Sequence, residues 1–340
     1  MSRGLSSGCY TDSPDSLLNA RFFTFDDAAT RAAYLDLWEI SPQRNVFAHP
    51  LFVEAIGGAF GHPVQVAAVT NEKGWQVAIP VFEKRRGPFK AAALPPVTPV
   101  LSPLLSEPVH ETEVNQRRSP LDVLLRGLTD TYDQVTLQLH PSITDARPFA
   151  WAGWTVTPRY THVADLTVDD PVATWSKSVR YTIRTGAERF RVEEDQQHAE
   201  VGIELMEASY ERKKKALGLP RSTLTALVRR LTQDGLVRVF AATPHGESSP
   251  EAVAIIAHDG QTAHYWIAGS KPGPAMGVLL ADVVPRLKQE GITSLDFTGA
   301  NIPSIAEFKR KYGAELRPYF LVRHVSHPLL RVLDRIRSQR

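Results

Sequence analysis

The order of apolar and polar positions predicts a mixed protein of helices and strands. In the first half of the chain, apolar residues at helical spacing predict helices over 26–41, 50–60 and 119–127. Short apolar runs predict strands over 64–69, 75–83 and 135–140. The segment Asn-Glu-Lys-Gly at 71–74 is typical of the turn that joins two strands into a hairpin.

A similar order of elements returns in the second half of the chain. Helices are predicted over 175–190, 199–216, 275–290 and 303–312. Strands are predicted over 159–166, 236–243, 252–259, 262–270, 294–298 and 317–325. The segments VAIPV (77–81) and VAIIA (253–257) each follow the first strand of their half, which suggests a duplicated unit.

Residues 84–108 contain a dense group of prolines: Pro88, Pro95, Pro96, Pro99, Pro103 and Pro108. Proline interrupts helices and lacks the N–H that a central strand donates. The segment is therefore predicted to be an ordered loop that crosses a pocket or a sheet edge.

Composition narrows the class of protein. A chain of 340 residues with 43% hydrophobic and 22% charged residues is large enough for two domains and too apolar for general disorder. The net charge of +2 does not indicate a DNA-binding protein. Cys9 is the single cysteine, which excludes an intrachain disulfide, and the histidines do not follow a metal-ligand spacing, so no metal site is expected.

The two ends of the chain differ from the rest. Residues 1–18 are rich in Ser, Gly and Asp and are predicted to be disordered, and no signal peptide or membrane span is recognisable, which favours a cytoplasmic protein. Residues 327–340 are predicted to form a basic amphipathic helix. That helix either docks on its own domain or makes peripheral contact with a membrane.

The most informative segment is DFTGANIPSIAEFKRKYGAEL, at 296–316. Gly299 allows a sharp turn after a short strand, and Pro303 suits the first turn of a helix. Within that helix Ile305, Phe308 and Tyr312 share one face with Lys309. A lysine on a packed face either extends towards solvent or points into a cleft.

These segments resemble one family. Tyr265-Trp266, a Pro/Gly-rich loop, a helix, SLDFTGA and IAEFKRKYG follow one another as in the FemAB-like (Acetyltransf_6) N-acyltransferases of the GNAT fold, which are related to Fem-type peptidyltransferases. The resemblance covers roughly residues 20–325. It implies an α/β (α+β) fold of two tandem GNAT-like domains, with mixed, mostly antiparallel sheets flanked by helices. The predicted domains are 19–158 and 159–326, and the second carries the FKxxYG motif.

The resemblance also implies a chemistry, the transfer of an acyl group to an amine. Phe308 and Lys309 match the Phe-Lys pair at the catalytic centre of Fem-type enzymes, which makes Lys309 the candidate cation for the developing oxyanion. Asp296 either orients the amine and accepts its proton, or caps the turn that follows it.

Three further residues are candidates for substrate binding. Arg180 and Arg184 lie four residues apart and either grip a phosphate or carboxylate of the acceptor or form a solvated face beside Glu188. Tyr265 either lines the cleft or packs in the core.

The nature of the acyl donor stays open. In GNAT enzymes the pyrophosphate of CoA lies on a Gly-rich loop at a helix N-terminus. Ser270, Gly273 and Ala275 fit the spacing of that loop only if Ser270 replaces the usual Gln or Arg, and Pro272 and Pro274 remove two N–H donors. No tightly bound cofactor is therefore expected, and the cosubstrate is either acyl-CoA or an aminoacyl-tRNA.

Three functions follow from these expectations. The first is an N-acyltransferase that acts on an amine of a small molecule or of a cell-envelope or polysaccharide precursor. The second is an aminoacyl-tRNA-dependent Fem-type peptidyltransferase, for which tRNA would be a partner. The third is a non-catalytic module that binds a glycan or lipid precursor.

Overall fold

The structure is a computed structural model that describes residues 19–108, 119–212 and 218–327, together with Thr112, Asn115 and Leu330. The predictions for residues 1–18 and for nearly all of 327–340 lie outside the described residues. No helix within the described ranges is both long and apolar enough to cross a membrane.

Helices and strands alternate along the described chain. The α-helices are α1 (Ala28–Ile40), α2 (Pro50–Phe60), α3 (Pro120–Thr131), α4 (Arg147–Trp151), α5 (Lys177–Gly186), α6 (Ala199–Glu211), α7 (Arg221–Gln233), α8 (Ala275–Gln289) and α9 (Pro303–Arg310). The strands are β1 (Ala20–Thr24), β2 (Val64–Asn71), β3 (Gly74–Arg86), β4 (Phe89–Ala93), β5 (Leu104–Leu105), β6 (Gln134–Gln138), β7 (Thr155–Asp165), β8 (Phe190–Glu194), β9 (Val237–Pro244), β10 (Ala252–His258), β11 (Thr262–Ser270), β12 (Ser294–Asp296) and β13 (Glu315–Val325).

All of these strands belong to one sheet. Their order is β1-β2-β3-β4-β6-β13-β7-β12-β11-β10-β9-β8, with β5 paired to β3. Most pairs are antiparallel, whereas β4–β6 and β11–β12 are parallel. The predicted fold class, a mixed and mostly antiparallel sheet flanked by helices, is confirmed, and so is the hairpin between β2 and β3.

The last strand joins the two halves of the sheet. One edge of β13 pairs with β6 of the first half, and the other edge pairs with β7. Strand β7 runs from Thr155 to Asp165 and thus through the predicted boundary between residues 158 and 159. The division into two domains stays a prediction, because the strands continue across it without a break in the sheet.

Helices cover both faces of the second half of the sheet. Alternate residues of β10 belong to different cores, since successive side chains of a strand point to opposite faces. Val253 and Ile255 lie in the core that also contains residues of α6 and α7, whereas Ala254 and Ile256 lie in the core built around α8. The pocket described below opens between these two layers.

The predicted secondary structure was incomplete in several places, among them β1 and α4, which were not predicted. The helix predicted over 175–190 ends at Gly186, and Phe190 instead begins the edge strand β8. Helix α7 was not predicted, although Leu224, Leu227, Val228 and Leu231 have helical spacing and are buried. The proline-dense segment contains the short strands β4 and β5, and β4 lies in the proline-free interval between Pro88 and Pro95.

Candidate functional site

A pocket opens where two parallel strands diverge. Strands β11 and β12 pair only as far as His264 and Asp296, and beyond this point β11 borders a pocket of about 440 Å³. The pocket is lined by Met206, Ser209, Tyr210, Tyr265, Trp266, Ala268, Gly269, Ser270, Met276, Thr298, Gly299, Asn301, Ile302, Ser304, Ile305, Phe308 and Lys309.

A strained turn forms one wall of this pocket. Thr298 has φ +51° and Gly299 has φ +82°, and a β-branched residue rarely adopts such a conformation. Three hydrogen bonds hold the turn: Thr298 N donates to Asp296 Oδ1 (2.6 Å), Thr298 Oγ1 donates to the Tyr265 carbonyl (2.6 Å), and Gly299 N donates to Thr161 Oγ1 (3.1 Å). Such strain persists only where the surroundings fix the backbone, and it is typical of functional sites.

Lys309 brings a positive charge to the same wall. Lys309 is only 6% exposed, and its Nζ donates hydrogen bonds to the carbonyl oxygens of Thr298 (2.8 Å) and Gly299 (2.7 Å). Of the two orientations considered for this lysine, the structure therefore has the one directed towards a cleft. The strained turn and the ammonium group thus position each other beside the pocket.

Aromatic packing fixes the helix that carries Lys309. Phe308 lines the pocket, and its ring centroid lies 5.0 Å from that of Tyr312. Tyr312 is 3% exposed and packs edge-on against Trp175, with 4.9 Å between the ring centroids. The short helix α9 is in this way tied to the core of the second half.

Asp296 lies next to the pocket but is not among its lining residues. The residue is buried, and its Oδ1 accepts hydrogen bonds from the Thr161 hydroxyl and from Thr298 N. These contacts are the ones expected of a residue that caps the turn, and the function of Asp296 stays a prediction. A function in accepting the proton of the amine is not supported by a contact with the pocket.

The two functions considered for Asp296 predict different results for Asp296→Asn. An asparagine side-chain oxygen accepts the same two hydrogen bonds, so we expect the variant to keep at least about half of the wild-type kcat. Asp296→Ala removes the acceptor of the buried Thr161 hydroxyl and of the half-buried Thr298 N–H, which costs about 1–3 kcal/mol of the free energy of unfolding. A large loss of kcat in a folded Asp296→Asn variant would instead indicate proton transfer by this carboxylate.

Tyr265 and Trp266 both border the pocket, because the gap between diverging strands is accessible from both faces of the sheet. The Tyr265 hydroxyl donates to Met276 Sδ (3.3 Å), and burial raises the pKa of Tyr265. Trp266 Nε1 donates to the carbonyl oxygen of Val97 (2.7 Å). Val97 itself has a left-handed backbone conformation, with φ +48°. The proline-dense loop of the first half therefore contacts a residue of the pocket wall.

The structure does not bring Arg180 and Arg184 to the pocket. Both are exposed on α5 and neither is a lining residue. The Arg184 guanidinium lies over the Tyr181 ring, 5.5 Å from its centroid. Their proposed grip on an acceptor anion stays a prediction.

The three residues of the predicted CoA loop have different environments. Ser270 lines the pocket, Gly273 is exposed with φ +145°, and Ala275 is 1% exposed within the core at the start of α8. Helix α5 lies close to this loop, since a Cβ added to Gly186 would lie 2.9 Å from Pro274 Cβ. The loop thus presents Ser270, but not Ala275, to a ligand in the pocket.

Helix α6 supplies a wall of the pocket that was not predicted from the sequence. Met206, Ser209 and Tyr210 line it, and α6 approaches β11 closely at Gly269. A glycine within an apolar strand pattern is the signal for such an approach of another backbone. Asn301 was also missed, although it directly follows the turn.

Three histidines lie near Asp296 without forming a metal site. Burial lowers the pKa of His264 and of His162, and it lowers the pKa of His140 to about 4. No group of His, Cys, Asp or Glu within the described part of the chain is arranged to hold a metal ion.

One family model matches part of the second half of the chain. Residues 174–310 match the family described as acetyltransferase (GNAT) domain. No curated protein matches the chain.

Several solved structures share the fold. FemX is 13% identical, with a TM-score of 0.67 over 89% of this chain and 98% of its own. A tandem GNAT protein from the clavulanic acid biosynthesis pathway is 15% identical, with a TM-score of 0.54 over 91% of this chain and 99% of its own. The C-terminal domain of a putative lysylphosphatidylglycerol synthetase from Agrobacterium fabrum is 13% identical, with a TM-score of 0.53 over 92% of this chain and 96% of its own. At these identities the likeness establishes the fold.

Proposed function

We propose that this chain, whose residues 174–310 match the acetyltransferase (GNAT) domain family and whose fold is similar to that of FemX, is an N-acyltransferase that transfers an acyl group from an activated donor to an amine. The observation that supports this function most directly is the buried Lys309 ammonium on the pocket wall. Two backbone carbonyls hold it in place, so its charge is fixed before any ligand arrives.

The reaction needs a positive charge at one position. The nitrogen of a neutral amine attacks the acyl carbonyl carbon, and the carbonyl oxygen becomes an oxyanion in the tetrahedral intermediate. The intermediate then collapses: the new C–N bond stays, and the bond from the acyl carbon to the sulfur or oxygen of the carrier breaks. The amine loses one proton, and the leaving sulfur or oxygen gains one, so that the products are the amide and the free carrier. A fixed cation in a site with little water stabilises the oxyanion by a few kcal/mol.

The other lining residues have supporting functions in this proposal. Phe308 and Tyr265 pack beside the acyl group, and Ser270 lies at the end of β11 nearest to the predicted donor loop. Asp296 positions the turn that holds Lys309.

The proposal extends to the two substrates. The donor is acyl-CoA or aminoacyl-tRNA, and the acceptor is an amine of a small molecule or of a cell-envelope or polysaccharide precursor. The envelope precursor is supported by the fold shared with FemX and with a lysylphosphatidylglycerol synthetase domain. A cytoplasmic location is part of the proposal, because acyl-CoA and charged tRNA are found there.

The test is a transfer assay with the purified chain. Acetyl-CoA, hexanoyl-CoA and charged tRNA are offered as donors, together with a panel of amino sugars, amino acids and ethanolamine, and acylated products are detected by mass. We expect an N-acylated product with at least one donor, and at least tenfold less of it with the Lys309→Met variant. Binding of an acceptor without transfer from any donor would contradict the enzyme and favour the non-catalytic module.

A further inference from the structure

Two strained residues, one from each half of the chain, hold adjacent positions of β11. Among the described residues other than glycine, only Val97 and Thr298 have a positive φ, +48° and +51°. Thr298 Oγ1 donates to the Tyr265 carbonyl (2.6 Å), and the Val97 carbonyl accepts from Trp266 Nε1 (2.7 Å). A β-branched residue keeps such a conformation only where its surroundings fix the backbone, and this strain is concentrated at functional sites.

The segment that these residues hold is a bulge. Ile255 pairs with Ile267 and Ile256 pairs with Tyr265, so Trp266 is an extra residue of β11 without a partner on β10. A bulge redirects a side chain and is frequent beside active sites. Because strand pairing does not fix the extra residue, contacts from outside the strand must fix its position.

The first half of the chain supplies these contacts to Trp266. The residue lines the pocket and is 8% exposed, and its indole packs edge-on against Phe52, with 5.5 Å between the ring centroids. The loop that carries Val97 is anchored further on, because Leu101 and Gln138 exchange two backbone hydrogen bonds of 2.8 and 3.1 Å. The indole is therefore held by a segment that is itself fixed.

Hydrogen bonds connect this contact with Lys309. Lys309 Nζ donates to the Thr298 carbonyl (2.8 Å), and the hydroxyl of the same threonine donates to Tyr265, the neighbour of Trp266 in the chain. The walls formed by β11 and by the strained turn thus take their relative position from one short series of contacts. A misplacement of about 1 Å near reacting atoms can lower a rate about 100-fold.

We propose that Val97 is a positioning residue for the pocket. Its carbonyl holds the Trp266 indole and with it the bulge of β11, so the first half of the chain sets the position of the β11 wall relative to Lys309. The inference rests on the proposed function and deepens it, because a site built from the second half then depends on one contact from the first.

Trp266→Phe removes the indole N–H and keeps an aromatic ring, and Trp38→Phe is its matched control. Trp38 is 5% exposed, its Nε1 donates to the Asn45 carbonyl (2.8 Å), and it does not line the pocket. Both substitutions remove one hydrogen bond from an indole to a backbone carbonyl at similar burial. We therefore expect similar decreases of the midpoint of urea denaturation.

Ligand binding should separate the two variants. Dissociation constants are measured by calorimetry for N-butylhexanamide and for the phosphonamidate of the same shape, which carries an anionic oxygen. We expect Trp266→Phe to weaken binding of the amide at least fivefold and to lower the preference for the phosphonamidate at least threefold. Trp38→Phe should change both quantities by less than twofold. A bond that contributes only to stability would leave the preference unchanged in both variants.

A second pair of variants tests the strained backbone of Val97. Glycine adopts a positive φ readily, so Val97→Gly keeps the carbonyl in place. Proline holds φ near −65°, so Val97→Pro turns the carbonyl away from the indole. We expect Val97→Gly to bind the amide at least fivefold more tightly than Val97→Pro.

Three results would overturn this inference: equal dissociation constants for Trp266→Phe and Trp38→Phe, equal affinities of the two Val97 variants, or binding of neither probe to the wild-type protein at millimolar concentration. The readout is separate from that of the proposed function. These differences in binding without any acyl transfer would contradict the enzyme but not the positioning. Transfer at the wild-type rate by Trp266→Phe would contradict the positioning but not the enzyme.

Discussion

Replacing Lys309 by methionine is expected to lower kcat by about 100-fold, since removal of one group that stabilises an oxyanion costs 10²–10³ in rate. KM for the donor should change by less than about threefold, because the charge of Lys309 acts mainly on the oxyanion that forms in the transition state. Methionine keeps most of the aliphatic packing, although the carbonyls of Thr298 and Gly299 lose a donor. Steady-state kinetics with circular dichroism of the folded variant checks both statements.

Lys311→Met is the matched control for this substitution. Lys311 lies two residues further on, pairs with Glu307 at 3.7 Å, and does not line the pocket. We expect the kcat of Lys311→Met to stay within about twofold of the wild-type value, because Lys311 does not line the pocket. The variant should also stay folded, since an exposed ion pair contributes little to stability. Equal kcat values for the two variants would remove Lys309 from the mechanism.

The second large effect is expected for Gly269→Ala. A Cβ at this position would lie 2.2 Å from Met206 N and 2.3 Å from Leu205 C, which are backbone atoms of α6. Helix α6 must therefore move away from β11, and overpacking of this kind costs about 3 kcal/mol or more of the free energy of unfolding. Because α6 carries Met206, Ser209 and Tyr210, the same shift should widen the pocket and weaken ligand binding.

Gly58→Ala gives the comparison for Gly269→Ala. Gly58 is exposed within α2, and a Cβ there would meet no atom within 4 Å. Alanine has the higher helix propensity, so the free energy of unfolding should rise by about 1 kcal/mol. Urea denaturation of both variants tests the pair, and a Gly269→Ala protein as stable as the wild type would contradict the close approach of α6.

Much of the fold follows from local patterns in the sequence. Strand β10 and helix α8 have clear strand and helical periodicity and are found within one or two residues of their predicted ends. The turn at Gly299 was predicted from a glycine that follows a short strand and precedes Pro303. These features depend on neighbouring residues only, which is why a single sequence suffices for them.

The remaining features depend on contacts between distant parts of the chain. The pairing of β13 with β6 joins residues 183 to 191 positions apart and has no local signal. The contact between Trp266 and Val97 likewise depends on how the halves pack. For the site, Lys309 and its motif could be predicted. Gly269 signals that another backbone approaches β11, but the sequence does not show that this backbone is α6 or which of its residues line the pocket, because tertiary packing sets that register.

The central claim is that the ammonium of Lys309 stabilises a negative oxygen in the pocket, and a pair of inhibitors tests it most directly. One is an N-alkyl hexanamide, and the other is the phosphonamidate of the same shape, whose anionic oxygen resembles that of the tetrahedral intermediate. We predict that the wild-type protein binds the phosphonamidate at least tenfold more tightly than the amide, and that Lys309→Met abolishes this preference whereas Lys311→Met retains it. The same ratio of dissociation constants in all three proteins would contradict the account.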